Sequence, residues 1–323
     1  MTLLIELNHQ KTVLLTPLSP YNFDANFHKP DYFPSSDYTW EEGRFWVTML
    51  WRGQELGLRY ENKGTTDNPE IEISIYSQKA LAEDYINNLI PELRWRYNFD
   101  SDISEFYEKF HNDEVLGPVI EKWKGMKPRA GCSLYETLVI YIILQNATVR
   151  RTVQMMENLF QRFGKDLSFD GKNLSVYWEP ARMAESSEQE LRDLKLGYRA
   201  KFLMRITEQF VNKEIDEFAL RKKGRKAVRT ETLKLYGIGP ASVDYLLFEH
   251  FYFYDTLETV PPWEQKILSR LIFNEELVPT DKILGFFRKF EGWEELAYHY
   301  IWEDLFWRRK HEHIEWLEKE IRL

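Results

Sequence analysis

At about residue 100 the hydrophobic pattern of this chain changes period, and that change limits its folds more than any other feature. Before it, residues 44–51, 56–60 and 71–76 carry apolar side chains at strand spacing, and Ile71-Glu72-Ile73-Ser74-Ile75-Tyr76 alternates as a half-buried strand does. Arg52-Gly53-Gln54-Glu55 is a turn signal, and residues 62–69 form a loop rich in Asn, Gly and Thr that ends in Pro. A small antiparallel sheet with one or two helices is expected here. From Asp102 onward helical periods take over. Ser133 stands as N-cap to an apolar helix running from Leu134 to Ile143, which must be buried on nearly all sides. Further helices are expected at 151–163, stopped by Gly164, at Pro180, at 188–194, closed by Gly197, at 199–211 and at 293–317. The fold class that follows is α+β, with an antiparallel β-sheet domain over residues 1–100 and a mostly α-helical domain over 101–323.

Composition narrows the function classes. Hydrophobic residues at 43% and charged residues at 29% describe an ordinary globular chain, and 15% aromatics with 11 Trp can furnish both a core and a surface on which a base stacks. No apolar run reaches membrane-spanning length and the first residues lack a signal-peptide pattern, so an intracellular, non-secreted protein with no membrane partner is expected. The single cysteine, Cys132, excludes a disulfide framework and a four-cysteine iron–sulfur or zinc site. His311-Glu312-His313 is no metal site, because neighbouring helix positions point apart. With 43 Lys+Arg against 52 Asp+Glu, the net charge of −9 argues against a long DNA footprint but leaves room for one basic face. The stretch 221–226, with Arg229 and Lys234, is such a concentration.

The most informative string is Leu235-Tyr236-Gly237-Ile238-Gly239-Pro240-Ala241-Ser242-Val243-Asp244-Tyr245-Leu246. Two glycines around a β-branched residue make a tight turn, and Pro240 then opens a new helix. Backbone amides at such a helix start form an anion nest, for which a DNA phosphate is a natural occupant. The string resembles the hairpin of the helix–hairpin–helix DNA glycosylase superfamily, which includes endonuclease III, MutY, the AlkA alkylbase glycosylases and the 8-oxoguanine glycosylases. Asp193-Leu194-Lys195-Leu196-Gly197-Tyr198-Arg199-Ala200 is similar to a segment of the AlkA and 8-oxoguanine branches, as are the helix pair around Gln145-Asn146 and the closing helix near Gly292-Trp293. The N-terminal strands resemble the sheet domain of those two branches.

The resemblance implies a helical domain in two lobes, with the hairpin near 230–250, and a base-excision enzyme that flips a damaged nucleotide out of double-stranded DNA. It places an essential Asp at the start of the helix after the hairpin helix. Here that segment, Thr259-Val260-Pro261-Pro262-Trp263-Glu264-Gln265, has no Asp; one register puts Trp263 in its place and the next puts Glu264 there. Glu264 is the expected catalytic carboxylate, with Asp255 and Glu258 as fallbacks. The lysine of the strand-cutting members falls at Ala241, so no β-lyase activity is expected. Trp302, Tyr245 and Trp263 are the expected base pocket. Gly237, Ile238, Gly239, Ala241, Ser242, Gln145, Asn146 and Arg151 are the expected DNA contacts, with Asn146 filling the gap left by the flipped base and Arg151 meeting the orphaned partner. The same resemblance implies a Na⁺ or K⁺ ion on hairpin carbonyls, no other cofactor, action as a monomer and a cytoplasmic, nucleoid-associated location. An alkylated purine such as 3-methyladenine is the favoured lesion. An 8-oxoguanine glycosylase and a damaged-DNA-binding module that has lost catalysis are the alternatives.

Overall fold

The structure, a computed structural model, describes residues 4–30 and 33–320. Its strands are β1 (Leu4–Glu6), β2 (His9–Leu15), β3 (Tyr38–Glu41), β4 (Arg44–Trp51), β5 (Gln54–Asn62), β6 (Ile71–Ser77), β7 (Lys165–Phe169) and β8 (Lys172–Val176). Strands β2 to β6 form one antiparallel sheet in the order β2-β6-β5-β4-β3. Arg52 and Gly53 both have positive φ at the β4–β5 turn, the pairing that a two-residue hairpin of right-handed twist requires. One rung, Trp40–Phe45–Tyr60–Ile73–Val13, crosses all five strands. On that face Phe45, Tyr60 and Ile73 pack with Phe27 and with Leu89 and Leu93 of the helix Glu83–Arg96.

The opposite face is covered too, which the sequence did not lead one to expect. Strands β7 and β8 form a hairpin inside the helical half of the chain, and β1 pairs in parallel with β7. This three-stranded sheet packs Leu167, Phe169 and Val176 against Trp46 and Tyr76. A Cβ at Gly57 would lie 2.4 Å from the Phe169 ring, so only glycine permits the approach. Asp170 at the hairpin tip accepts hydrogen bonds from Trp46 Nε1 at 2.6 Å and Tyr76 Oη at 3.0 Å and pairs with Arg59 at 3.1 Å.

The helical region holds two cores. One is built around the helix Leu134–Leu144, with Ser133 capping it in a reciprocal box with Glu136, and takes in residues up to Phe251. The other joins the segment from Ile103 to Met126 with residues from Phe248 onward, including the helices Pro262–Phe273 and Glu294–His311. The hairpin helix Pro240–Glu249 contributes to both. Three expected helices differ in extent, and that expected at 293–317 ends at His311 and is followed by a separate helix, Glu315–Glu320. The helix expected at 151–163 begins at Val149, capped by Thr148. That expected at 188–194 ends at Leu191 and passes into a wider turn, Arg192–Leu196, in which Lys195 has φ 68°. Among the described residues no helix is long and apolar enough to cross a membrane.

A buried ionic network ties the sheet's helix to the helical region. Arg96 pairs with Glu92 at 2.8 Å and Glu136 at 3.7 Å; Arg221 pairs with Glu92 at 2.5 Å and also with Glu217; and Glu217 accepts from His250 Nε2 at 3.1 Å and the Leu134 amide at 2.8 Å. Despite its burial, Glu217 is held well below the usual carboxylate range by these donors.

Candidate active site

Gly237 has φ 80°, and a Cβ there would stand 2.8 Å from the Phe202 ring, so the turn requires glycine on two counts. Gly239 is the N-cap of the hairpin helix, Pro240 follows it, and no side chain caps the end. The amides of Ala241 and Ser242 are therefore available to an anion. The Ile238 side chain is buried in the first helical core, and its amide is taken by the Leu235 carbonyl. Gln145 donates from Nε2 to the Gly237 carbonyl at 2.8 Å, joining the corner after the helix Leu134–Leu144 to the hairpin. Beside it, Asn146 has φ 49° and donates to Tyr198 Oη at 3.1 Å, while the Arg151 guanidinium donates to the Lys195 carbonyl. The fold thus gathers the hairpin and the Gln145–Asn146 corner. Lys234 and Leu235 carbonyls accept from Gln209 Nε2 at 3.2 Å and the Ile238 amide at 3.2 Å.

Along the hairpin helix Ala241, Tyr245 and Glu249 follow at intervals of four and share a face. Tyr245 is 38 % exposed, yet its hydroxyl donates to Glu264 Oε1 at 3.0 Å. Glu264 lies in the first turn of the helix Pro262–Phe273, is 2 % exposed, and its Oε2 has no hydrogen bond among the described residues. A first-turn carboxylate serving only the helix dipole sits in water and keeps a low pKa. Glu264 is instead pushed up to about 8 by burial, against the lowering effect of the Tyr245 hydroxyl. Asp255 and Glu258, the fallback carboxylates, are instead surface partners of Arg225, at 3.2 and 2.9 Å.

A narrow cleft beside Tyr245 is lined by Ala241, Asp244, Thr256, Glu295 and Tyr298. Glu295, in the first turn of the helix Glu294–His311, was not singled out in the sequence. Burial and then the nearby Glu264, Asp244 and Glu249 push it up to about 8. A Glu in the first turn of a long helix looks like dipole compensation from sequence alone, so no local signal marks it. A wider cavity of about 270 Å3 opens between the five-stranded sheet and the helical region, with Asp37, Arg129, Tyr141, Tyr177 and Glu249 in its wall. Tyr141 donates to Glu249 Oε2 there at 2.8 Å, and burial pushes Asp37 up to about 6.

Other expectations are placed differently. Trp302 is buried in the second helical core against Tyr298 and Phe306, and it lines neither cavity. The side chain of Trp263 lies outside the described residues. The basic stretch is not one open face. Arg221 belongs to the buried network, Arg225 and Arg229 are engaged by Asp255, Glu258 and Asp244, and Lys234 pairs with Glu231 at 2.8 Å. Lys222, Lys223 and Lys226 are exposed. Charge alone could not separate these, because which arginines are paired depends on the partner elements.

The HhH-GPD superfamily base excision DNA repair protein model matches residues 139–319. A DNA-3-methyladenine glycosylase of Bacillus subtilis (strain 168) is 22% identical over 252 residues, 73% of this chain and 82% of that protein. A probable N-glycosylase/DNA lyase of Methanothermobacter thermautotrophicus is 22% identical over 215 residues, 60% of this chain and 65% of that protein. Among solved structures, the 3-methyladenine DNA-glycosylase from Archaeoglobus fulgidus shares the fold at a TM-score of 0.74 and 16% identity, covering 94% of this chain and 100% of that one. The apo form of the Clostridium acetobutylicum 8-oxoguanine glycosylase/lyase does so at 0.66 and 17%, covering 94% and 99%. With more than half its length matched by the family model and the hairpin at its centre, the chain belongs to the HhH-GPD superfamily of base excision DNA repair proteins.

Proposed function

We propose that the chain is a DNA N-glycosylase without lyase activity, hydrolysing the glycosidic bond of a flipped alkylated purine, with 3-methyladenine favoured. The observation that carries this is the buried Glu264 held by Tyr245 beside the cleft at Ala241. As the bond to the base breaks, positive charge develops on the sugar, and an ionised Glu264 in a water-poor site stabilises it. Binding a cation would draw its proton off. Ala241 supplies no amine for a Schiff base. The wider cavity, one helical turn beyond Tyr245, has the size and the mixed polar wall that a ring such as a purine needs. An alkylated purine carries positive charge and leaves readily, and the acidic Glu249 and Asp37 favour such a base. The names of the Bacillus subtilis and Archaeoglobus fulgidus relatives point the same way. One observation favours the binding module instead: Glu264 is sealed from both cavities.

The test is base release from duplexes carrying 3-methyladenine, hypoxanthine or 8-oxoguanine, with borohydride trapping as the check for a Schiff base. Release of 3-methyladenine, lost in Glu264→Gln and without a trapped adduct, is expected. Preferred release of 8-oxoguanine would replace the substrate. Tight binding without any release would replace the enzyme with the binding module.

A further inference from the structure

The hairpin turn is held by the helix Arg199–Val211 through two of its side chains, Phe202 and Gln209, which are seven positions apart and so share a face. Phe202 lies under Gly237, where a Cβ would stand 2.8 Å from its ring, and it meets the Tyr236 ring edge-on at 5.5 Å. Gln209 grips the main chain. Its Oε1 accepts from the Tyr236 amide at 3.0 Å, and its Nε2 donates to the Lys234 carbonyl at 3.2 Å. One partner only donates and the other only accepts, so a single orientation of the carboxamide serves both. The side chain thus pairs with residues 234–236 at both of its polar ends, as a neighbouring strand would, although it comes from a helix. Between the two bonds Leu235 is buried, whereas Lys234 and Tyr236 are exposed, so burial fixes the middle residue and the carboxamide fixes its two neighbours. Gly237 follows at φ 80°, and glycine is the residue freest to leave such a conformation. The grip therefore stands immediately before the turn that leads to the Ala241 and Ser242 amides.

We propose that Gln209 is a positioning residue for DNA binding: it sets the hairpin turn in the conformation that presents those amides to a phosphate, without touching the DNA itself. The proposal rests on the reading of the turn as a phosphate site, and it holds whichever lesion the protein takes. Both bonds lie at the surface and add little to the stability of the fold, so their effect is on the population of the competent turn. Apparent affinity falls in proportion to the fraction of molecules in which the turn is already set. Loosening the turn weakens binding to every duplex alike, damaged or not. It leaves the rate in the bound complex alone, because a seated phosphate then holds the turn.

Gln209→Met in the full chain tests this, since methionine keeps the length and helix propensity of glutamine and removes both bonds. Amide hydrogen exchange at Tyr236 in the free protein should be faster by about 10-fold, and affinity for an undamaged duplex lower by about 5- to 10-fold. The melting temperature should stay within about 2 °C of wild type. In base release, KM should rise by the factor lost in affinity while kcat holds. Unchanged exchange at Tyr236 would show that there is no grip, and faster exchange with unchanged affinity would show that the grip does not serve DNA; either overturns the proposal. A melting temperature lower by more than about 5 °C also overturns it, because Gln209 would then brace the fold rather than the turn. Gly239→Ala supplies a second background, in which a Cβ already hinders the phosphate. There Gln209→Met should cost less affinity than in wild type, and an equal cost would mean that Gln209 touches DNA directly. If wild type binds duplex DNA but releases no base, the glycosylase reading falls while the affinities still decide the role of Gln209. If wild type binds no duplex, the phosphate reading falls and takes the proposal with it.

Discussion

Glu264 illustrates how one side chain can trade stability for chemistry. Its folded pKa of about 8 stands above the usual carboxylate value, so the folded state holds the proton more tightly than the unfolded one. The sign follows: stability is undiminished below the unfolded pKa and is lost as pH rises from there through about 8. Glu264→Gln removes this titration. Urea unfolding should show the variant about as stable as wild type near pH 4.5 and more stable by at least ~1 kcal/mol near pH 8; equal stability at both would contradict the burial argument. Tyr245 acts on the same proton. Its hydroxyl favours the ionised carboxylate, so Tyr245→Phe should raise the Glu264 pKa further. The expected result is a rising limb of kcat/KM, near pH 8 in wild type, displaced to higher pH. A limb that stays in place would mean that another group sets it.

At the scale of elements, the two hairpin glycines have different reasons to be there. Gly237 needs both its positive φ and the space beside Phe202, whereas a Cβ at Gly239 meets nothing within 4 Å. Gly237→Ala is expected to destabilise the protein by roughly 1–3 kcal/mol. Gly239→Ala should change stability by less than about 0.5 kcal/mol and show itself only as weaker DNA binding. Thermal melts and a binding titration on the pair separate the two; matching melting temperatures would refute the assignment. The hairpin was legible because Gly-Ile-Gly-Pro is a local signal. The β7–β8 hairpin carried a signal as well: Asp170 and Gly171, both at positive φ, form the Asp-Gly turn that most strongly marks a two-residue hairpin. It went unread because it lies within a run of helical periods.

Across the whole molecule, Arg221 holds the sheet's helix to the helical region by neutralising Glu92 and Glu217 in a dry interface. Arg221→Ala leaves two buried carboxylates short of a partner and should destabilise by about 3–5 kcal/mol. Substituting the exposed Lys222 should be nearly neutral. Denaturant titration of the two variants checks this, and equal effects would return Arg221 to the surface, where the sequence had placed it. Burial raises the Glu264 and Glu295 carboxyls at the site, whereas in the network the basic partners outweigh the same burial and lower Glu92 and Glu217.

The α+β class, the glycine turn and the cap at Ser133 were determined by the sequence itself. Each depends on residues adjacent in the chain or one helical turn apart. Tertiary structure decided which carboxylates pair with the arginines of 221–229, that Trp302 is core, that β1 reaches a strand some 160 positions away, and that Glu295 stands with Tyr245 at one cleft. Those outcomes rest on burial and on partners brought together from distant segments. Desolvation and ion pairing act through space and leave no mark on local spacing.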